Sequence, residues 1–119
     1  MNCVRTLPWV QGVHEKYTTK GVRVIGVHTP EFGYEKKRDS IEAAIRKHGL
    51  AYPNFVDNDM TYWDALRNQY WPTTYLVDKC GQLRAKHIGE VHAGQASGNE
   101  LEASLDKLLA EADCSLQAR

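Results

Sequence analysis

The chain has 119 residues, enough for one globular domain, and its fifteen basic and fifteen acidic residues give a formal net charge of zero. This balance provides no long-range field that would attract nucleic acid or an anionic membrane, so neither is expected as a partner. No apolar run approaches the ~18 residues of a membrane span, and no basic segment followed by an apolar one, the pattern of an export signal, stands at the amino terminus.

The first quarter of the chain predicts a helix and a strand. Apolar residues recur every three or four positions over residues 3–19, which predicts a helix that Pro8 should kink and Gly21 should end. Residues 22–27 are short, apolar and β-branched, typical of a parallel strand buried on both faces.

The middle of the chain predicts two helices around a short strand. Apolar residues at helical spacing predict a helix that Gly49 ends, and residues 52–56 favour a strand. The Asp-Asn-Asp run at 57–59 is typical of a helix cap, and residues 63–70 predict a short helix with an unusually aromatic face.

The last third predicts a hairpin and a helix. Residues 73–77 and 83–88 are typical of antiparallel strands joined by a tight turn at 78–81. Asn99, with Glu102 three residues later, predicts the capping box of a final helix with a leucine stripe.

The alternation of helices and strands indicates an α/β fold with mixed strand pairing. We assign one domain to residues 1–113 and a loose C-terminal tail to residues 114–119.

Two features could carry chemistry. Cys3 stands at the start of a helix, where free N–H groups and the helix dipole favour a thiolate, although a lone helical cysteine is often an inert core residue. Pro72 stands directly before a strand, where it cannot donate to the ladder; the Trp71–Pro72 bond is either an ordinary trans strand entry or a cis bond in a sharp turn.

Other reactive side chains give weaker signals. Cys80 and Cys114 have no paired spacing, so both are expected to be exposed bystanders, with intermolecular disulfides as the alternative. The five histidines show no zinc-ligand spacing and the glycines no phosphate-binding spacing, so neither a metal nor a cofactor is expected. His28 and Glu31 follow the first strand and are either site residues or ordinary loop residues.

Five aromatic residues form either part of the core or an apolar rim for unfolded polypeptide: Trp9, Tyr62, Trp63, Tyr70 and Trp71.

The combination of Asn2-Cys3-Val4-Arg5-Thr6-Leu7-Pro8 with Trp71-Pro72-Thr73 resembles the thioredoxin superfamily, in particular its TlpA- and DipZ-like redoxin branch. In that family a Cys-x-x-Cys motif begins a helix, and a cis-proline loop lies opposite the sulfurs. The segments Val-Ile-Gly-Val-His-Thr-Pro-Glu-Phe at 24–32 and Tyr-Trp-Pro-Thr-Thr-Tyr-Leu-Val-Asp at 70–78 are also similar to that branch. The likeness extends over residues 2–112 and implies a thioredoxin-like fold.

The resemblance implies a role for four residues. Cys3 matches the second, resolving cysteine, Pro72 the cis-proline, and Trp71 and Thr73 the backbone that pairs with an extended client. The first cysteine of the motif would stand immediately before Met1. An upstream selenocysteine codon misread as a stop, a misplaced start and a cut fragment would each account for this position.

The resemblance also implies a central strand ahead of the Cys3 helix, between the strands at 22–27 and 73–77. Without it, two rows of backbone polar groups would lack partners. We therefore expect either a homodimer or ordered residues ahead of Met1. Two rearrangements could serve instead: direct pairing of the flanking strands, or unwinding of the helix at Pro8.

The function implied is thiol–disulfide exchange with protein thiols and disulfides, assisted by a protein reductant or oxidant and impaired in this chain. The alternative is a non-catalytic module that binds extended polypeptide; a thiol peroxidase would need a Thr-x-x-Cys setting that Cys3 lacks. The family implies an extracytoplasmic or periplasmic location, whereas a chain that starts at Met1 would be cytoplasmic.

Overall fold

The computed structural model describes residues 2–30 and 37–114, and the side chains from residue 4 onward within those ranges. Helices and strands alternate, so the predicted α/β order is confirmed. None of the helices in these ranges is long and apolar enough to cross a bilayer. The elements are α1 (Asn2–Tyr17), a 3₁₀ turn (Thr18–Lys20), β1 (Gly26–His28), α2 (Arg38–His48), β2 (Asn54–Val56), α3 (Thr61–Ala65), β3 (Thr73–Val77), β4 (Leu83–Ile88) and α4 (Ala96–Ala110).

The main core lies where α1 and α4 pack against the hairpin. Tyr17 is fully buried, and its hydroxyl donates a 2.9 Å hydrogen bond to Asp106 of α4. Burial, followed by this contact, raises the pKa of Tyr17 to about 12, so the phenol stays protonated and keeps its donor at neutral pH. The buried members of this core are Trp9, Val13, Tyr17, Leu76, Val91, Leu101 and Leu105.

Two helix boundaries show what local signals can predict. Gly21 follows the 3₁₀ turn at φ 100°, a left-handed conformation that suits glycine, as the predicted stop requires. The predicted capping box at Asn99 is wrong, because α4 begins three residues earlier, at Ala96. The Asn99 N–H donates to the Gln95 carbonyl at 2.9 Å, so Asn99 lies within the first helical turns. Gly98, in the first turn of α4, is buried against Trp9 and the His92 carbonyl, where a larger side chain would not fit.

The strands form two separate two-stranded sheets. β1 pairs with β2 in parallel, with Val27 opposite Phe55, and β3 pairs with β4 antiparallel. The hairpin and the parallel direction of β1 are confirmed. The expectation of a strand over 22–27 buried on both faces is wrong, because only Gly26–His28 pair and exposure alternates along the segment. Ile25 is 57% exposed and Val27 40% exposed, so one face of this segment has no cover from the described residues.

Neither of the two rearrangements that could replace a central strand occurs among the described residues. β1 and β3 belong to different sheets, so the flanking strands have not closed up on each other. α1 is helical on both sides of Pro8, so its first residues do not form a strand. Within residues 2–30 and 37–114, β1 and β3 therefore each have one pairing neighbour only, and apolar strand residues such as Phe55 and Val77 remain more than half exposed.

Candidate functional site

The amino-terminal part of α1 is held against the segment that follows β4. The Thr6 hydroxyl, which is buried, accepts a 3.1 Å hydrogen bond from the Val91 N–H, and Arg5 forms a 3.3 Å ion pair with Glu90. Gly89, which directly precedes Glu90, donates from its N–H to the Pro72 carbonyl at 2.9 Å. The consecutive residues 89–91 thus contact both the start of α1 and the Pro72 loop.

The peptide bond between Trp71 and Pro72 is cis, as the resemblance implies. The Trp71 indole N–H donates a 2.8 Å hydrogen bond to the Thr29 carbonyl, just after β1. The ring also stacks on Trp63, with 3.9 Å between ring centroids and 23° between planes. Thr73 donates from its hydroxyl to the Tyr70 carbonyl at 2.7 Å, so both residues flanking Pro72 have anchored side chains.

A buried carboxylate lies behind this loop. Asp57 is 6% exposed and accepts hydrogen bonds from the Thr29 hydroxyl at 2.8 Å and from the Tyr62 and Trp63 N–H groups at 2.9 and 2.8 Å. Burial raises the pKa of Asp57, but the three hydrogen bonds outweigh it and hold that pKa below its ordinary value. The carboxylate is therefore ionised at neutral pH. The sequence predicted a cap at 57–59 but not the bond from Thr29, which comes from 28 residues away.

The structure places three of the four predicted site residues together. Trp71, Pro72 and Thr73 are half-buried and lie at the start of β3. Cys3 belongs to the first turn of α1, but its side chain lies outside the described residues, as does the whole of Glu31. His28 is the last residue of β1. Trp9 and Trp63 are buried in the core, whereas Tyr62 and Tyr70 are more than half exposed.

Comparison with known proteins assigns the family. No family model matches the chain. It is 32% identical to the thiol-disulfide oxidoreductase YkuV of Bacillus subtilis over 111 residues, which are 93% of this chain and 71% of that protein. The chain belongs to the thioredoxin-like thiol–disulfide oxidoreductases. It is also 40% identical to the protein DipZ of Mycobacterium tuberculosis over 90 residues, but these are 76% of this chain and only 13% of DipZ.

Solved structures agree with this thioredoxin-like assignment. A thioredoxin-like protein in its oxidised form superposes with a TM-score of 0.75 at 30% identity, over 92% of this chain and 70% of that one. A thiol-disulfide isomerase from Corynebacterium glutamicum superposes with a TM-score of 0.79 at 24% identity, over 93% and 74% of the two chains, which supports the fold alone. The thioredoxin-like fold predicted from the sequence is therefore confirmed.

A disulfide that sequence reasoning missed lies outside this site. Cys80, in the β3–β4 turn, is bonded to Cys114 beyond α4, with 5.1 Å between their Cα atoms. The expectation that both are unpaired bystanders is wrong, and residue 114 is covalently attached to the domain rather than loose. The cysteines are 34 positions apart, and no local spacing signals a bond that only the packing of α4 creates.

An ionic cluster holds the same two segments together. Arg84 forms a bidentate pair with Glu111, both contacts at 2.8 Å, and a 3.0 Å pair with Asp78. Lys79 donates to the carbonyls of Leu109 and Glu111 at the end of α4. Arg84 lowers the pKa of Glu111 below its ordinary value. These contacts bring the turn and the helix end together, which places Cys80 and Cys114 within bonding reach.

Replacing both Cys80 and Cys114 with serine should lower the free energy of unfolding by about 3 kcal/mol, because the bond closes a long loop and restricts the unfolded chain. Urea titration followed by far-ultraviolet circular dichroism measures the change. The wild-type chain in excess dithiothreitol should match the double variant. Equal stability of oxidised and reduced wild-type chains would contradict the prediction.

Proposed function

We propose that this chain is the client-binding and resolving part of a thiol–disulfide oxidoreductase that acts on protein thiols and disulfides. The observation that carries the proposal is that the start of α1 and the cis-proline loop are both held by residues 89–91. Family membership supports the same activity. The chain spans about an eighth of the length of DipZ, so the activity is proposed for this domain and not carried over from the whole of that protein.

The exchange requires two sulfurs with different tasks. A nucleophilic thiolate or selenolate, proposed to stand immediately before Met1, attacks a client disulfide; a mixed disulfide forms and one client thiolate leaves. The Cys3 thiolate then attacks the sulfur or selenium of that nucleophile, which releases the second client thiolate and leaves an internal bond to Cys3. A protein reductant transfers two electrons and two protons to restore the pair, and a protein oxidant would drive the reverse direction.

The cis-proline loop supplies the docking edge in this proposal. Pro72 has no N–H to donate to a neighbouring strand, and its carbonyl accepts a hydrogen bond from the Gly89 N–H. Trp71 and Thr73 present the adjacent backbone to an extended client, in the manner of an added strand. Their anchored side chains keep this edge in one conformation before a client binds, which lowers the entropy cost of docking.

A non-catalytic module that binds extended polypeptide is the second candidate. The observation that favours it is the exposure of apolar strand residues such as Val27 and Phe55, which a bound strand or a second copy of the chain would cover. The residue directly before Met1 discriminates the two candidates, since cysteine or selenocysteine there completes the exchange pair. A homodimer belongs to the same proposal, as one way to cover these strands.

An extracytoplasmic location is the third element of the proposal. The disulfide between Cys80 and Cys114 supports it, because bonds of this kind persist in oxidising compartments and are rare in the cytosol. A cytoplasmic location would instead expose this bond to the cellular dithiol reductants.

The resolving role requires a reactive, accessible Cys3 thiolate, and this reactivity is tested with a client that reports its own exchange. A short extended peptide joined through its cysteine to thionitrobenzoate should release one equivalent of the coloured thiol per folded chain, by attack of the Cys3 thiolate on the peptide disulfide. Cys3→Ser should abolish the release, whereas Cys80→Ser/Cys114→Ser should leave it at one equivalent. Release that persists in Cys3→Ser, or that begins only after denaturation, would contradict the proposal.

A further inference from the structure

We propose that Asp57 is a positioning residue that orients the Trp71 indole and thereby sets the client-facing edge of the cis-proline loop. The inference rests on the proposed docking role of that loop. It extends the function to a residue outside the Cys-x-x-Cys and cis-proline motifs. Asp57 itself contacts neither the client nor a reacting sulfur in this account.

The hydrogen bonds of Asp57 go beyond what a helix cap requires. Two of its three donors, the N–H groups of Tyr62 and Trp63, belong to α3 and would satisfy a cap by themselves. The third donor is the Thr29 hydroxyl, which lies after β1 and does not belong to α3. The carboxylate therefore joins the end of one sheet to a helix, and its burial makes each of these bonds costly to lose.

Both connections from Asp57 end on the same ring. Through Thr29, it holds the residue whose carbonyl accepts the Trp71 indole N–H. Through the N–H of Trp63, it holds the residue whose ring stacks on Trp71. The edge and the face of the Trp71 ring are thus fixed by two neighbours that share one buried anion.

The restraint on the Trp71 ring matters because Trp71 is part of the proposed client-docking edge. Trp71 directly precedes Pro72, so an indole released from Thr29 and Trp63 would no longer restrain the backbone that meets the client. If Asp57 were only a cap, loss of its bond to Thr29 would leave the Trp71 ring unchanged. The two accounts therefore differ in what happens at Trp71 when Thr29 loses its hydroxyl.

The experiment compares Thr29→Val, Thr29→Ser and Asp57→Asn with the wild-type chain. Thr29→Val removes the hydroxyl but keeps the branched shape and both α3 bonds of Asp57, and Thr29→Ser restores the donor. Asp64→Asn removes an exposed carboxylate from the same helix and serves as the matched control. The readouts are the indole N–H resonance of Trp71, assigned with Trp71→Phe, and the near-ultraviolet dichroism of the stacked pair.

We expect Thr29→Val and Asp57→Asn to shift the Trp71 resonance and weaken the near-ultraviolet signal, and Thr29→Ser and Asp64→Asn to match the wild type. With the peptide–thionitrobenzoate probe, Thr29→Val should raise the half-saturating peptide concentration about fivefold, the equivalent of one ordinary hydrogen bond, with the rate at saturation unchanged. A wild-type Trp71 resonance in folded Thr29→Val would overturn the inference, and that variant decides the matter if Asp57→Asn does not fold.

Failure of the proposed function gives a different pattern. The wild-type chain would then show no saturation with the peptide probe, while the Trp71 resonance would still respond to Thr29→Val. A shifted resonance with an unchanged half-saturating concentration would overturn the link between Asp57 and client docking. The spectroscopic and kinetic readouts thus separate the two proposals.

Discussion

Joining a strand-forming segment that ends in cysteine directly before Met1 should raise insulin reduction on the order of a hundredfold above that of the 119-residue chain. The mixed disulfide needs a second thiol held close to it, and Cys3 would supply that thiol from the first turn of α1. The chain by itself offers Cys3 but no partner in Cys-x-x-Cys spacing, so its reaction should stop after one exchange. Turnover is measured with dithiothreitol as the electron source.

The matched control is the same extension ending in serine. It should leave insulin reduction at the level of the unextended chain, because it adds the strand without the nucleophile. Cys3→Ser in the cysteine-ended chain should trap the mixed disulfide, which non-reducing electrophoresis detects. If the 119-residue chain already reduced insulin at the rate of the extended one, the assignment of Cys3 as a resolving thiol would be wrong.

The serine-ended extension should also raise the free energy of unfolding by at least ~3 kcal/mol, with a melting temperature about 10 °C higher. The physical reason is that β1 and β3 belong to separate sheets and each pairs with one strand only among the described residues. A strand between them would form several backbone hydrogen bonds, each worth ~1 kcal/mol, and would cover apolar residues such as Val27 and Val77.

Light scattering gives the second readout of this prediction. The 119-residue chain should associate into dimers as its concentration rises, because pairing between copies satisfies the same edges. The extended chain should remain a monomer. An extension in which proline replaces alternate strand residues is the control, since it loses the N–H donors to one of its two ladders and proline is not accommodated in the interior of a sheet. A cooperatively melting monomer with the same stability as the extended chain would contradict the argument.

Local patterns determined most of the secondary structure. The hairpin over Thr73–Val77 and Leu83–Ile88 lies where alternation and turn residues predicted it, and α2 ends at Gly49 as predicted. The family resemblance placed the cis bond before Pro72. These features depend on residues close together in the chain, whose conformational preferences are present before any tertiary contact forms.

Tertiary packing decided the remaining features. Asn99 carries a sound capping signal, yet α4 begins at Ala96, and its first turn packs through Gly98 against Trp9, a contact that the local sequence does not reveal. Residues 22–25 have the composition of a strand but pair with no strand in the described part of the chain, since strand propensity forms a ladder only where a neighbour is in place.

The same distinction applies to the site. The sequence, through its family resemblance, predicted Cys3, Trp71, Pro72 and Thr73 as site residues. Only the tertiary structure decided that Asp57 reaches Thr29, and that Cys80 bonds to Cys114. Both contacts join segments about thirty residues apart, and their partners meet only when the sheets and helices pack. Periodicity and short-range spacing describe neighbours in the chain, so they do not predict such contacts.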